Sequence, residues 1–418
     1  MNTIILIAFG IGYVLITLES NVKINKAATA LFTGGFIWST YILFNSGSEE
    51  IVQQLVEHIG SISQIIFFLI GAMTIVELID SYGGFDVITK QIKTSNKRIL
   101  LVILGFITFF LSSVLDNLTT TIVMVTLTRK LLDDKNDRLL FIGMIVIAAN
   151  SGGAWTPIGD LTTTMLWIGG QITTLNIMQK LFFPSLVSMI VPLFLISLMI
   201  KGEFKRIDNL EKESIILNFE KKTVFFLGIG ALIFVPIFKS ITHLPPFMGI
   251  LIGLSVLWIV TELLNKDRVS EQKITVTNAL RKIDIPSVLF FLGILLAVAA
   301  LESTGLLSAL AATLSKSVGN LYGIAMFLGI LSSIIDNVPL VAASMGMYDL
   351  QTLPTDHYFW ELITYCAGTG GSLLIIGSAA GVAAMGIEKV DFFWYLKKIS
   401  LVALIGYLSG AFMYMLLI

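Results

Sequence analysis

Apolar runs long enough to span a bilayer's hydrocarbon core, which takes about 20 helical residues, recur along almost the whole of this chain. They lie at 3–18, 27–45, 62–80, 182–200, 223–239, 246–264, 286–304 and 399–418. Only 13% of the 418 residues are charged and 56% are hydrophobic, against about 25% charged in a soluble domain. Mean hydropathy is +0.89. These runs predict an all-α integral membrane protein, with the bilayer as its first partner. The opening MNTIILIAFGIGYVLITLES has no basic n-region and no small-residue cleavage site, so it reads as a retained helix.

Two further stretches, 139–171 and 359–388, are apolar but broken by glycine clusters, and each reads as one discontinuous crossing. Two more, 99–131 and 321–347, carry an Asp-Asn pair near the middle and read as re-entrant hairpins, which leave the chain on the side it entered. That gives ten net crossings. With loops placed on alternate sides, segments 19–26, 81–98, 129–138, 201–222, 265–285 and 389–398 share one side and hold 24 of the 27 basic residues. The positive-inside rule makes that side cytoplasmic. Both termini are then predicted outside, in a multi-pass plasma (inner) membrane protein.

The chain also repeats itself. Leu111-Ser112-Ser113-Val114-Leu115-Asp116-Asn117 returns 220 residues later as Leu331-Ser332-Ser333-Ile334-Ile335-Asp336-Asn337, with five of seven positions identical. Gly152-Gly153 with Ile158-Gly159-Asp160 returns at an offset of 218 as Gly370-Gly371 with Ile376-Gly377-Ser378. Convergent low complexity could produce one echo, but not two in the same order at nearly the same offset. Each half, 1–209 and 210–418, holds five crossings, with a re-entrant hairpin and one discontinuous helix among its elements. Five is odd, so the halves are predicted to be inverted-topology repeats, whose interrupted helices meet at the membrane midplane.

An acid at membrane depth costs about 2.5–3.5 kcal/mol on insertion scales and usually lines a path or cavity. The embedded acids are read as Glu77, Asp80, Asp116, Asp160, Glu302 and Asp336, and no lysine or arginine sits in the core of a crossing to balance them. Protons or bound cations must do so. A turn at this depth leaves carbonyls and amides unpaired, tolerable only where it lines a site or is packed in protein. At the first tip, Asp116 and Asn117 are followed at once by Thr119, Thr120 and Thr121; at the second, Asp336 and Asn337 precede Pro339.

In the run from Asn150 and Ser151 through Thr156 to Asp160, Thr162 and Thr163, the Gly152-Gly153 pair permits positive φ and Pro157 deletes a backbone donor, so the helix is expected to unwind there. Its counterpart carries Thr369 and Ser372, with Ser378 standing where the first half has Asp160. Together these oxygens predict a hard-oxygen cage for Na⁺. Each aspartate could alternatively be no more than the cap of the helix that follows it. Glu77 and Asp80, three residues apart near a cytoplasmic helix end, read either as a proton-entry pair or as a solvated terminus; Glu302 is equally open. Trp155 and Trp167 read as packing residues.

At LDNLTTT (115–121), ANSGGAWTPIGDLTTTMLW (149–167), SSIIDN (332–337) and GTGGSLLIIGSAAGVAAMG (368–386) the sequence resembles the NhaD family of sodium/proton antiporters. The blocks run in order through most of the chain. More distantly they look like the ion-transporter superfamily, which includes dicarboxylate and arsenite carriers. The resemblance implies exchange of cytoplasmic Na⁺ or Li⁺ for external H⁺. It names Asp116, Asn117, Asn150, Asp160, Thr162, Thr163, Ser332, Asp336, Asn337 and Ser372 as the cation and proton residues.

Other classes fit less well. A sodium-coupled symporter of a dicarboxylate or inorganic anion would want amides, hydroxyls or an arginine in place of three acids. An intramembrane protease would need a nucleophile with a base; His58, His243 and His357 all fall near predicted loops, and the single Cys366 allows neither a disulfide nor a cysteine metal site. Nothing points to the symmetric multi-chain pore of a channel. The expectation is therefore a transporter with no catalytic residues, no cofactor and no nucleic-acid partner, its cargo monovalent cations and protons, with a homodimer left open.

Overall fold

The structure, a computed structural model, describes residues 1–17, 19, 23–45, 48–89, 94–203, 216–266, 268, 273–334 and 336–417. Ile335 of the second repeat motif, the 209–210 junction and the basic residues Lys90, Lys93, Lys205, Arg206 and Lys212 lie outside that set. Among the described residues the regular structure is helical, apart from one isolated bridge between Asn96 and Glu203.

In chain order the helices are α1 (Asn2–Thr17), α2 (Lys26–Phe44), α3 (Glu49–Ser81), α4 (Asp86–Thr89), α5 (Lys97–Leu115), α6 (Asn117–Leu131), α7 (Lys135–Ala154), α8 (Leu161–Ile168), α9 (Thr174–Met199) and α10 (Asn218–Thr242). Then come α11 (Pro246–Leu264), α12 (Val276–Lys282), α13 (Ile285–Ser303), α14 (Leu306–Val318), α15 (Leu321–Leu331), α16 (Asn337–Met347), α17 (Tyr358–Gly370), α18 (Ala379–Glu388) and α19 (Phe392–Leu417), the last containing a π turn at Leu396–Ser400. Nine of the described helices are long and apolar enough to cross a bilayer, or up to ten if the bent pair α14–α15 counts as one span. This is a multi-span membrane protein.

Several boundaries differ from the hydropathy reading. The third crossing, expected at 62–80, belongs to a 33-residue helix that starts at Glu49. His58 therefore sits inside a helix, not in a loop, and its Nε2 lies 3.1 Å from Ser303 Oγ. Residues 306–318, read as loop, form α14, which meets α15 at 110°. That segment is amphipathic, so a window tuned to uniformly apolar spans passes over it.

Loops predicted to share a side do gather at one end. Lys97 pairs with Asp137 at 2.6 Å, Lys221 with Asp86 at 2.7 Å, Arg138 with Glu388 at 2.7 Å and Lys282 with Glu77 at 3.0 Å, while Arg268 pairs with Glu220. At the other end the Thr173 amide donates to Asp356 at 2.7 Å and the Thr355 hydroxyl to the Gly170 carbonyl at 2.7 Å.

Candidate cation site

The first break and the first hairpin tip are built together. Asp116 ends α5 and starts α6 with φ 97° and ψ 158°, a strained conformation for any residue with a Cβ and of the kind that clusters at functional sites. The turn aims its carboxylate along α6, where Oδ1 accepts the Thr119 amide and Oδ2 the Thr119 hydroxyl, both at 2.8 Å. The next residue, Asn117, is buried, and its Nδ2 donates to Asp160 Oδ2 at 2.6 Å and to Asn150 Oδ1 at 3.0 Å. Asn150, near the end of α7, donates from Nδ2 to Ser372 Oγ and Ser378 Oγ, each at 2.9 Å. One asparagine thus ties the first hairpin and first break to the second break.

Asp160 is 2% exposed and caps α8. Its Oδ1 accepts the Thr162 amide at 2.9 Å and the Thr162 hydroxyl at 2.8 Å. Among the described residues, Asp116 and Asp160 therefore accept hydrogen bonds from neutral amides and hydroxyls. Asp116 and Asp160 both cap the helix that follows them, as the capping alternative expects.

The glycines behave differently from expectation. Gly152 and Gly153 remain inside α7 with ordinary φ, and the helix stops at Trp155. Contact, not torsion, requires them. A Cβ on Gly152 would lie 2.1 Å from the Phe109 carbonyl oxygen, and one on Gly153 would lie 2.5 Å from that of Gly159. In the second half a Cβ on Gly370 would lie 2.0 Å from the Gly329 carbonyl oxygen, and one on Gly371 2.8 Å from Ser378 Cβ. Matching hydroxyls follow suit: Ser112 donates to the Ala149 carbonyl at 2.6 Å and Ser332 to that of Ala367 at 3.0 Å. The packing is reciprocal. α6 lies against α18 and α16 against α8, so each break meets the other half's hairpin arm.

The second tip is furnished differently. Position 339, matching Thr119, is proline and has no amide to give. Asp336 accepts instead from the Val338 amide at 3.3 Å. Lys26 Nζ stands 3.7 Å from Asp336 Oδ2 and 4.4 Å from the centre of the Phe290 ring. The expectation of acids without a fixed positive charge is corrected here. Lys26 falls in the 19–26 loop because it immediately precedes the apolar run 27–45, yet its side chain reaches the hairpin tip.

Other predicted site residues fall into groups. Thr120 is fully buried with no hydrogen-bond partner for its hydroxyl, as is Thr121. The Thr156 hydroxyl donates to the Ser113 carbonyl at 2.5 Å, and the Thr163 hydroxyl reaches the Gly153 carbonyl at 3.5 Å. Asn337 is buried beside Asp336. Ser151 turns away to Ser188 at 2.9 Å, and the Thr369 hydroxyl donates to Tyr365 within its own helix. Glu77 and Asp80 line a cavity of about 590 Å³ at the basic end, together with Lys26, Lys282, Thr119 and Ala379. Glu302 is exposed at the opposite end of α13 and joins none of these. Trp155 packs as expected, stacked on Phe109 at 6.1 Å; Trp167 is packed too, and Lys239 Nζ lies 4.3 Å from its ring.

The sequence reading passed over Ser378 as a ligand although the repeat placed it opposite Asp160. It also omitted Glu361 and Glu388 from the embedded acids. Glu361 is 3% exposed and takes hydrogen bonds from Asn176 Nδ2 at 2.5 Å and Tyr414 Oη at 2.6 Å. Glu388 is held by Arg138 and Arg129.

The comparisons with known proteins bear on this arrangement. A family model described as "Citrate transporter" (CitMHS) matches residues 4–363. Sodium/proton antiporter 2 of Arabidopsis thaliana is 49% identical over 413 residues, covering 97% of each chain. Sodium/proton antiporter 1 of the same plant is 52% identical over 412 residues, 97% of this chain and 71% of that protein. The Na⁺/H⁺ antiporter NhaD of Vibrio cholerae serotype O1 is 30% identical over 444 residues, 99% of this chain and 91% of that one. The chain belongs to the NhaD-type ion-transporter family. The motifs that carried the NhaD resemblance are the segments that meet in space: 115–121 and 149–167 share the Asn117–Asp160–Asn150 network, and 368–386 joins it through Ser372 and Ser378.

Proposed function

We propose that this NhaD-type protein exchanges cytoplasmic Na⁺ or Li⁺ for external H⁺ at a carboxylate cage made by Asp116, Asp160 and Asp336 with Asn117, Asn150, the surrounding threonine hydroxyls, Ser372 and Ser378. The observation that carries the reading is the buried Asp160 carboxylate, hydrogen-bonded by Asn117 and Thr162 and next in the same network to Asn150, which reaches the other half. A buried carboxylate held by neutral donors needs one positive charge to leave water, and a proton or a small hard cation can supply it. Because both cannot occupy the same oxygens, loading one unloads the other. Exchange follows when the loaded cage faces alternate sides. The unpaired buried Thr120 and Thr121 hydroxyls offer further hard-oxygen ligands, with a hydroxyl's lone pairs free to accept.

The cavity supports a state open toward the cytoplasm. It runs from the ion-paired basic loops to Thr119, which holds Asp116, and to Ala379, which follows Ser378. Matched close approaches at Gly152 and Gly370, and the reciprocal packing of hairpin arms and breaks, support two inverted repeats around one midplane site. Relatives named sodium/proton antiporters weigh for exchange over anion symport, although the family model takes its description from citrate. Three acids in one site repel a carboxylate substrate.

The test uses proteoliposomes with an internal pH dye. Added Na⁺ is expected to drive proton movement in the wild type, with Asp160→Asn and Asp116→Asn both inactive though folded. Lowering the pH on the Na⁺ side is expected to raise KM for Na⁺ and leave the maximal rate unchanged, the signature of competition. Wild-type exchange in both variants would remove the cage from the mechanism; Na⁺-driven uptake of labelled citrate without proton exchange would establish the symporter instead.

A further inference from the structure

We propose that Lys26 is a tethered cation for the second half of the site: it occupies Asp336 when no transported ion does, and Na⁺ entering the cage competes with it. The inference rests on the exchange reading above and adds a residue to it. Three features of Lys26 carry it.

First, its position opposes local stability. Lys26 is the first residue of α2, whose N-terminus carries a partial positive charge, and a cation there is disfavoured by the helix dipole. Asn25 already caps this helix by accepting the Ala27 amide at 2.8 Å, and the Glu19 carboxylate accepts the Lys26 amide at 3.0 Å, so the helix has no use for the lysine's side chain. Second, its ammonium is directed inward. It stands 3.7 Å from Asp336 and 4.4 Å from the centre of the Phe290 ring, with only 26% of the side chain exposed. A flexible four-carbon stem ending in a compact point charge suits a group that must let go and return. Third, Asp336 is the acid with the weakest support from its own turn. The proline at 339 removes the amide and hydroxyl that Thr119 gives Asp116, leaving, among the described residues, one backbone bond at 3.3 Å. The missing donors in one half are replaced by a charge brought from another helix.

Three carboxylates and one ammonium leave the cage with two net negative charges when all are ionised. Lys26 also lines the cavity through which ions would arrive. An entering Na⁺ can take the position beside Asp336 only by displacing an ammonium already there. The lysine thereby weakens Na⁺ binding and keeps the empty site from holding an extra ion. Lys26 acts through Asp336 as a specificity-setting residue, not as a ligand.

The experiment measures Na⁺-driven proton movement in proteoliposomes at one fixed alkaline pH, for wild type, K26Q, K26R, D336N and K26Q/D336N. K26Q is expected to lower KM for Na⁺ by about threefold or more, the low end of coupling between neighbouring groups. K26R, which keeps the charge, is expected to stay near the wild-type KM. The K26Q effect is expected to vanish in the D336N background, read from Na⁺-dependent thermal stabilisation if D336N does not turn over. If K26Q does not elute as a folded protein, Lys26→Met keeps the stem that packs on Phe290 and replaces it. An unchanged or raised KM in K26Q, or the same shift with and without Asp336, overturns the proposal. No exchange in the wild type would instead overturn the functional reading, which separates the two failures.

Discussion

The two hairpin tips carry the same Ser-Ser-aliphatic-aliphatic-Asp-Asn motif and are solvated by the protein in opposite ways. In the first, Asp116 is served from its own turn by the amide and hydroxyl of Thr119, with Thr120 and Thr121 behind it. In the second, Pro339, Leu340 and Val341 occupy those positions, and Asp336 draws on Lys26. The breaks diverge likewise. Asp160 accepts three hydrogen bonds, while Ser378 at the matching position accepts one from Asn150 and a longer one from the Gly381 amide. A shared backbone scaffold can therefore hold unequal chemistry: one half supplies acids dressed with neutral donors, the other an acid with a built-in counter-ion. The lesson is that sequence symmetry in a transporter fixes where groups stand, not what charge they carry.

The sharpest way to break this comparison is to make the first half resemble the second. Asp160→Ser is expected to reduce exchange by about 100-fold or more, because it removes a carboxylate whose hydrogen bonds, being to a charged group, are worth about 1.5–3 kcal/mol each. Ser378→Ala is expected to cost about 30-fold or less, the loss of two neutral hydrogen bonds at about 1 kcal/mol each. Na⁺-driven proton flux in proteoliposomes measures both; equal losses would mean the halves contribute alike.

A second pair tests the part of the scaffold the halves share. Gly152→Ala and Gly370→Ala each push a methyl group onto a carbonyl oxygen of the neighbouring hairpin arm, at 2.1 and 2.0 Å. Each is expected to destabilise by about 1–3 kcal/mol, as overpacking does. Thermal unfolding in detergent should show similar drops for both, while Gly230→Ala, with nothing within 4 Å of its added carbon, should not fall. A large drop at one site only would show that the two contacts are not equivalent.

The smallest expected effect sharpens the difference at the tips. Pro339→Thr offers Asp336 the amide and hydroxyl that its counterpart enjoys, worth about 1 kcal/mol together with their geometry. The change in KM for Na⁺ on replacing Lys26 by Gln is expected to shrink in this background. An undiminished change would mean that the proline is not why Asp336 relies on the lysine.

Much of this was legible in the residues. Apolar runs and the alternation of basic loops place the spans, and repeated Asp-Asn and Gly-Gly motifs locate the elements that meet. Contacts between sequence-distant side chains were less accessible. The repeat and the resemblance put Asn150 and Ser372 in one site, but do not say that the Asn150 amide itself would donate to both Ser372 and Ser378, more than 200 positions away. The glycine pairs were correctly marked but for the wrong reason, because a composition signal cannot distinguish a torsion that needs glycine from a neighbour that leaves no space. Lys26 was misassigned because charge counting treats the residue at the edge of an apolar run as water-facing, whereas a long side chain can run several ångströms back along its helix.

Main chain lying directly on main chain, as at Gly152 over Phe109 and Gly370 over Gly329, leaves no side chains at those points that could change rotamer and let the surfaces glide. Each hairpin and the interrupted helix beside it are consequently a single mechanical piece. In the exchange proposed above, the shape change that turns the site from one face of the membrane to the other would run along seams made of side chains, and the Asn150 amide crosses one of them.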